Sequence, residues 1–441
     1  MSMQMDRGCG VVGRLRWILS AAMVVMAVVS PLGAHEEDAD KKAPGDVIHR
    51  PTAVPDRIVL CWSGDPATTQ AVNWRTDTTV VESVGQIAVA GDGPGFAAGA
   101  ESVGATTAPL DTDLGPAHYH SLNFAGLEPE TTYAFRVGDG ENWSEWSHFR
   151  TAAAGPKPFS FVYFGDAQND VKSHWSRVVR EAFRDAPRAS FFLHAGDLVD
   201  AANSDGQWGE WFGASGFIHR MLPCIATPGN HEYANGLSVH WRPSFTFPEN
   251  GPEALAETVY YLDYQGARII SLNSMEDPQG QVPWLEKVPS ENKQTWTIVT
   301  HHYPIYSSAS GRDNAELRNL WQPVYDRFKV DIVLQGHDHT YARSKLMRHE
   351  NVVAGVNVQT EDAGTMYVVS VSGPKMYEVG GQPYFRKTAA NTQLYQIIFV
   401  DGDELRYEAR TAVGRLYDAF TLRKRAGQSN LLIERDALGA E

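Results

Sequence analysis

The run Phe191-Phe192-Leu193-His194-Ala195-Gly196-Asp197-Leu198-Val199-Asp200 decides the fold of this 441-residue chain. Its first half is apolar and of strand length, and Gly196 ends it, as expected of a strand buried on both faces in a parallel sheet. Open α/β sheets carry their chemistry just beyond the carboxyl ends of such strands, which is where Asp197 stands. Strands and helices alternate on either side of it. Phe159–Phe164, Cys224–Thr227, Tyr260–Leu262, Ala267–Leu272, Thr295–Thr300 and Val330–Gln335 read as strands. Val171–Asp185, Trp208–Arg220 and Leu317–Phe328 have helical spacing, and strands return at Thr365–Ser372, Leu394–Val400 and Leu405–Thr411. The alternation predicts a layered α/β domain over residues 158–425.

Four further segments repeat the pattern of a strand followed by a tight turn that presents a polar ligand. They are Gly165-Asp166-Ala167-Gln168, Gly229-Asn230-His231-Glu232, Val299-Thr300-His301-His302 and Gly336-His337-Asp338-His339. Glycine ahead of the ligand lets the backbone turn sharply and approach an ion closely. His337 and His339 can project to one side of an extended turn and serve neighbouring ions. The pooled donors are carboxylates, imidazoles and one amide, a mixture suited to Fe, Mn or Zn rather than to Ca or an all-sulfur site. Each piece alone is weak, because Gly-Asp is commonly a turn and a single histidine commonly structural. The force lies in five such pieces at five predicted strand ends. His194 and His219 stand outside the pattern and read as structural histidines.

Ahead of this domain the texture changes. From 50 to 153, short runs such as Arg57–Trp62, Ala71–Arg75, Gln86–Ala90 and Tyr133–Val137 are separated by Gly, Pro and Asp clusters. They predict a small β-sandwich, a packing platform in the absence of any charge cluster or ligand set. Ala152–Pro158 links it to the second domain. Residues 1–34 read as a signal peptide: Arg7, Arg14 and Arg16 precede an apolar run, Trp17–Val29, too short to span a bilayer comfortably, and Ser30–Ala34 follows as a cleavage region. An uncleaved anchor is the alternative. Residues 35–49 form a polar linker and 426–441 a polar tail. The mature chain is then secreted or periplasmic, with no stable membrane span. Removal of three Arg and one Asp takes the formal charge from −15 to −17. Such acidity disfavours nucleic-acid binding by bulk charge, and phosphate chemistry then needs local cations, most simply metal ions. Cys61 and Cys224 read as two buried free thiols rather than a disulfide.

The order Gly-Asp, Gly-Asp-x-x, Gly-Asn-His-Glu, Val-x-x-His, Gly-His-x-His resembles that of the metallophosphoesterases. Gly126–Tyr133 resembles the turn and corner tyrosine of fibronectin type III modules, and with that sandwich in front the chain resembles the purple acid phosphatase branch over roughly residues 50–425. The resemblance implies a fibronectin III-like β-sandwich followed by a four-layer α/β/β/α domain that holds two divalent or trivalent metal ions. It implies Asp197 as the bridge, Asp166 and His339 on the first ion, and Asn230, His302 and His337 on the second. His302 is preferred to His301 because His302-Tyr303-Pro304 fits the family's His-x-Pro. His231 becomes a proton donor or phosphate clamp, oriented by Glu232. The implied activity is that of an exported phosphatase that cleaves small phosphomonoesters by attack of a metal-bound hydroxide. The alternatives are a phosphodiesterase or nucleotidase of the same superfamily, and a non-catalytic secreted binding protein with a structural metal site.

Three positions depart from the branch. Asp200 stands where it has the tyrosine whose bond to ferric iron gives the colour, so no purple protein is expected. Gln168 stands where the wider family often has histidine. The first ion can therefore be completed by Asp200, by Gln168, by both or by water, and its identity among Fe, Mn and Zn stays open. Arg312 lies where the branch tends to carry a second acid histidine; a fixed cation can bind substrate phosphate but does not readily donate a proton. Tyr233, Trp241, Tyr303, Tyr306 and Tyr341 flank the motifs, equally as cleft lining or as loop packing. Arg343 reads as a surface ion pair, and Asn142-Trp143-Ser144 fits a glycosylation sequon. Oligomeric state is not legible.

Overall fold

The computed structural model describes residues 44–349 and 363–435. The signal-peptide reading and most of the 35–49 linker lie outside the described residues. In the sandwich, Asp56–Cys61, Thr69–Thr76, Gly115–Ala125 and Thr106–Thr112 form one four-stranded sheet, and Glu101–Gly104, Val84–Val89, Thr132–Gly138 and Ser147–Arg150 the other. Ile58, Leu60, Val72, Trp74, Leu122, Phe124, Phe135 and Val137 close a single core between the two sheets. Along each strand they recur at the period of two that packs one face of a sheet. The Tyr133 hydroxyl accepts the Glu128 N–H at 2.9 Å and pins the corner turn.

Two seven-stranded sheets follow. The first runs from edge to edge through Cys224–Ala226, Phe192–His194, Phe159–Phe164, Leu394–Asp401, Glu404–Thr411, Leu416–Arg423 and Leu431–Arg435. The second runs through Tyr260–Tyr264, Ala267–Ser271, Trp296–Thr300, Ile332–Gln335, Thr365–Val369, Tyr341–Met347 and Phe385–Ala389. Each strand that leads into one of the five turns pairs in parallel with at least one neighbour, three in the first sheet and two in the second. Alternate residues face different layers. Ile269, Ile298, Ile332 and Leu334 join the core shared with the first sheet. Ile270, Val299 and Val333 join a second core with Leu285, Leu317 and Trp321, from the helices Val282–Ser290 and Ala315–Phe328. On the first sheet, Phe159 meets Tyr264 of the facing sheet (ring centroids 4.9 Å apart), whereas Phe164 meets Trp175 (5.7 Å) beside the helix Ser176–Asp185. The order of layers is α/β/β/α.

Several details differ from the sequence reading. Leu431–Arg435, expected within a loose polar tail, is a strand paired antiparallel with Leu416–Arg423, because the open edge of the first sheet supplies partners for its backbone. The helix read as Trp208–Arg220 spans Asp205–Ser215 and breaks at Gly216, whose φ of 54° suits glycine. Val282–Ser290 is helical although two prolines hide it; Pro283 sits in the first turn, where an N–H has no helical partner to lose. Arg343 is buried rather than at the surface, with Asp418 accepting from Nε and Nη2 at 2.6 and 3.0 Å and Glu434 from Nη2 at 2.9 Å.

The described residues belong to one compact unit. Asp205, the first residue of its helix, accepts Arg57 Nη1 at 2.7 Å, Arg57 Nη2 at 2.8 Å and Arg75 Nη1 at 3.1 Å, so a buried ion cluster ties the sandwich to the layered domain. Among the described residues no helix is long and apolar enough to cross a membrane.

Candidate functional site

The carboxyl ends of the parallel strands in both sheets meet at one place, and the five turns converge there. Asp166, Asp197, His337 and His339 adopt left-handed backbone, with φ of 38°, 54°, 75° and 47°. Such conformations cost non-glycine residues about 1–3 kcal/mol each and gather where function over-determines the backbone. Three glycines make the convergence possible. A Cβ on Gly196 would stand 2.7 Å from His302 Nδ1, and one on Gly336 would stand 2.6 Å from Asp166 Oδ2. A Cβ on Gly229 would overlap Asp197 Oδ1 and stand 2.5 Å from the Asp197 nitrogen.

Two groups of donors result, and they share one residue. Asp166, Asp197 and His339 form the first and Asp197, His302 and His337 the second, each with its ligand atoms within 4.8 Å of one another. Asn230 Oδ1 joins the second group, 3.1 Å from His302 Nε2 and 2.9 Å from His337 Nδ1. Gln168 joins the first: its Nε2 donates to Asp197 Oδ2 at 2.8 Å and lies 2.9 Å from His339 Nε2, while its Oε1 is buried without a partner. Backbone carbonyls orient two of the rings. His302 Nδ1 donates to Ala195 O at 2.8 Å and His339 Nδ1 to Lys375 O at 3.1 Å, which turns each Nε2 inward.

The electrostatics match a site made for cations. Burial pushes the Asp166 carboxyl well above its ordinary range, and Asp197 adds to the effect. At Asp197 burial is outweighed by His302, whose Nε2 lies 3.2 Å from Oδ2, and the carboxyl is held below its usual range. Burial likewise opposes charge on His302, but Asp197 overcomes it and raises the imidazole to about 9. Burial lowers His337 to about 2 and His339 to about 3. Carboxylates and inward lone pairs thus crowd together with a single imidazolium to balance them, and the Gln168 amide faces them with its NH2 while its oxygen stays unpartnered. This donor set fits two metal ions of the Fe, Mn or Zn kind.

The remaining candidates stand around this centre. His231 N–H donates to Asp197 Oδ1 at 2.9 Å, and its Nδ1 donates to the Asp200 carbonyl at 2.6 Å. Asp200 belongs to neither group; its half-exposed carboxylate lies 3.6 Å from His231 Nδ1, and Gln207 Oε1 holds its N–H at 2.8 Å. Arg312 donates to the His337 carbonyl at 3.0 Å, pairs with Asp338 at 3.5 Å and rests on the Tyr377 ring. Glu232 is not placed as expected. Instead of orienting His231, its carboxylate accepts the N–H groups of Asp197 and Gly229 on Oε2 and those of Leu198 and Val199 on Oε1. It clamps the Asp197 turn to the asparagine turn. His301 turns away, donating to Tyr303 O beside Trp321. Tyr303 lies against His337, with ring centroids 4.2 Å apart, and Tyr233 borders an open depression of about 600 Å³ beside His231. Trp241, Tyr306 and Tyr341 are core residues. Sequence reasoning missed Lys375 and Tyr377, the latter packed on His339 at 4.8 Å; no motif marks that segment.

Fold and site together define a metallophosphoesterase. Residues 55–151 match the purple acid phosphatase N-terminal domain, and residues 159–341 match the calcineurin-like phosphoesterase domain. A purple acid phosphatase of Glycine max is 27% identical over 282 residues, covering 57% of this chain and 59% of that protein. An uncharacterised protein of Mycobacterium tuberculosis is 26% identical over 332 residues, covering 66% of this chain and 62% of that protein. The solved purple acid phosphatase PPD1 from yellow lupin superposes with a TM-score of 0.72 at 20% identity, covering 84% of this chain and 74% of that one. The chain belongs to the purple acid phosphatase-like branch of the metal-dependent phosphoesterases, and it spans about three-fifths of the length of these curated relatives.

Proposed function

We propose that this chain is an exported dinuclear-metal phosphatase that hydrolyses small phosphomonoesters. The presence of Asp197 in both donor groups carries the reading. Asp166 and His339 would hold the first ion, joined by Gln168 through Oε1 once its amide is turned about; His302, His337 and Asn230 would hold the second, and Asp197 both. Such ions supply Lewis-acid polarisation of a phosphoryl group and water of lowered pKa. The chain's own part is positional and protonic. His231, tethered through its backbone to Asp197, uses Nδ1 on the Asp200 carbonyl, which leaves Nε2 to hold a proton for the leaving alkoxide. Asp200 acts as companion to this ring. Arg312, anchored on the His337 carbonyl, would direct its remaining N–H groups to substrate phosphate. Export rests on the basic, apolar and small-residue pattern of residues 1–34.

One observation favours a diesterase or nucleotidase: the position at which the branch tends to carry a second acid histidine holds an arginine already bound to protein. Both readings meet one experiment. The mature protein is given a matched aryl phosphate monoester and diester with Mn, Zn or Fe and with a chelated control. Monoester preference abolished by chelation and by Asp197→Asn supports the phosphatase. Diester preference transfers the reading to the alternative, and failure to turn over either ester in protein holding two ions leaves a binding protein.

A further inference from the structure

A second set of ligand-type side chains meets in the apolar interior. Phe192–His194 and Cys224–Ala226 pair in parallel with Phe192 opposite Cys224 and His194 opposite Ala226, so His194 and Cys224 project from the same face of the sheet. His219, on the short turn Ile218–Arg220, covers that face. Ligand atoms of His194, His219 and Cys224 lie within 4.8 Å of one another, the same limit met by the two groups that share Asp197. All three residues are buried, and the rings are stacked with centroids 5.7 Å apart. Aromatic rings wall the place, Trp211 lying 4.6 Å from His219.

The hydrogen bonding is incomplete in a way that points to a ligand. His194 Nε2 and both nitrogens of His219 have no partner. A neutral imidazole carries one donor and one acceptor, and buried polar groups are nearly always satisfied. Burial keeps both rings neutral, so their lone pairs are available.

We infer that His194, His219 and Cys224 form a buried site for a soft monovalent cation, copper(I). Two imidazoles and a sulfur suit copper or zinc. Charge and coordination number decide between them. On binding, the Cys224 thiol loses its proton to solvent as the metal–sulfur bond forms, and thiolate with a monovalent ion leaves a neutral cluster in an apolar core. Zinc would leave a positive charge there, and its structural sites are almost always four-coordinate. The two-ion centre contains no sulfur, so a sulfur-ligated metal reports this site alone and is independent of phosphoesterase activity.

The test uses the full mature chain produced with copper under reducing conditions and then treated with a chelator. Metal analysis and X-ray absorption at the copper edge are expected to show one equivalent of copper with one sulfur and two nitrogen neighbours. His219→Leu and Cys224→Ser should each lower that copper roughly tenfold or more, while Cys61→Ser leaves it in place. Leucine suits the aromatic surroundings, and the serine variant keeps the test open should the first fail to fold. Folded protein lacking sulfur-ligated copper, copper retained in both variants, or zinc on the sulfur in its place would each overturn the inference.

Discussion

Replacing Glu232 by glutamine separates two roles for this side chain. The carboxylate receives four backbone N–H groups, from Asp197 at 2.8 Å and Gly229 at 2.7 Å on one oxygen, and from Leu198 at 2.8 Å and Val199 at 3.3 Å on the other. An amide has one oxygen, so either pair must face an NH2 group. The side chain would turn its NH2 to the weaker pair, Leu198 and Val199. Hydrogen bonds to a charged group contribute about 1.5–3 kcal/mol each, and the longer Val199 bond falls at the low end. Some of this loss is returned, because burial and the nearby Asp197 already oppose the charge and raise the carboxyl to about 7. A net loss of ~2–4 kcal/mol follows, a large part of a typical stability of 5–15 kcal/mol. The assay is guanidinium unfolding together with metal analysis of the same preparation. Glu232→Gln should lower the midpoint and, on the proposed two-ion assignment, release both ions together, since the turn it clamps carries Asp197. Unchanged midpoint and metal content with reduced turnover would refute the clamp and restore Glu232 as the residue that orients His231.

Gly229→Ala should reduce turnover by ~10² while circular dichroism stays native, because a Cβ there displaces Asp197 and small misplacements in a site have effects of that size; wild-type turnover would reject the close approach. Asp205→Ala leaves Arg57 and Arg75 buried without their shared carboxylate and should cost about 3–5 kcal/mol in urea unfolding, a loss under ~1 kcal/mol refuting the tie. Burial holds His120 and His240 at about 4 against the usual 6.5. Between those values the unfolded chain binds protons that the folded chain refuses, so stability present above pH 6.5 is lost as pH falls, by ~1–2 kcal/mol per ring at pH 5. Unfolding midpoints that stay flat from pH 7.5 to 5 would contradict this.

The five converging turns were legible because each is written locally, as an apolar strand and a polar side chain, with a glycine between them in four of the five. Chain order then placed them at strand ends that the sheets bring together. What stayed hidden depends on partners distant in sequence. Glu232 follows His231 directly and invites the reading of a local orienting role, yet three of its four donors lie more than thirty positions earlier. Arg343 looked solvent-exposed because nothing nearby neutralises it; Asp418 and Glu434 arrive 75 and 91 residues later. The Leu431–Arg435 strand has a polar composition and forms because a sheet edge awaits it. Tyr377 and the Lys375 carbonyl reach His339 from a segment with no periodic pattern, and contact of that kind has no local signature.

The two departures nearest the centre, Gln168 and Asp200, bear jointly on which metals it holds. Position 200 turns toward His231 with both its carbonyl and its carboxylate, and Gln207 pins its N–H from the far side. Position 168 places its amide among the atoms of Asp197 and His339. On the proposed assignment the first ion therefore meets a terminal carboxylate, the shared carboxylate, an imidazole and an amide, without phenolate or thiolate. The formal negative charge offered to the pair is that of Asp166 and Asp197 alone. Two divalent ions already exceed it, and a trivalent ion would widen the imbalance in a buried site, where unbalanced charge is most unfavourable. The centre should accordingly load two divalent ions, manganese or zinc, and remain colourless even when supplied with iron in air. Metal analysis of protein grown with iron, zinc and manganese at equal supply checks this. Stoichiometric ferric iron would refute this charge argument.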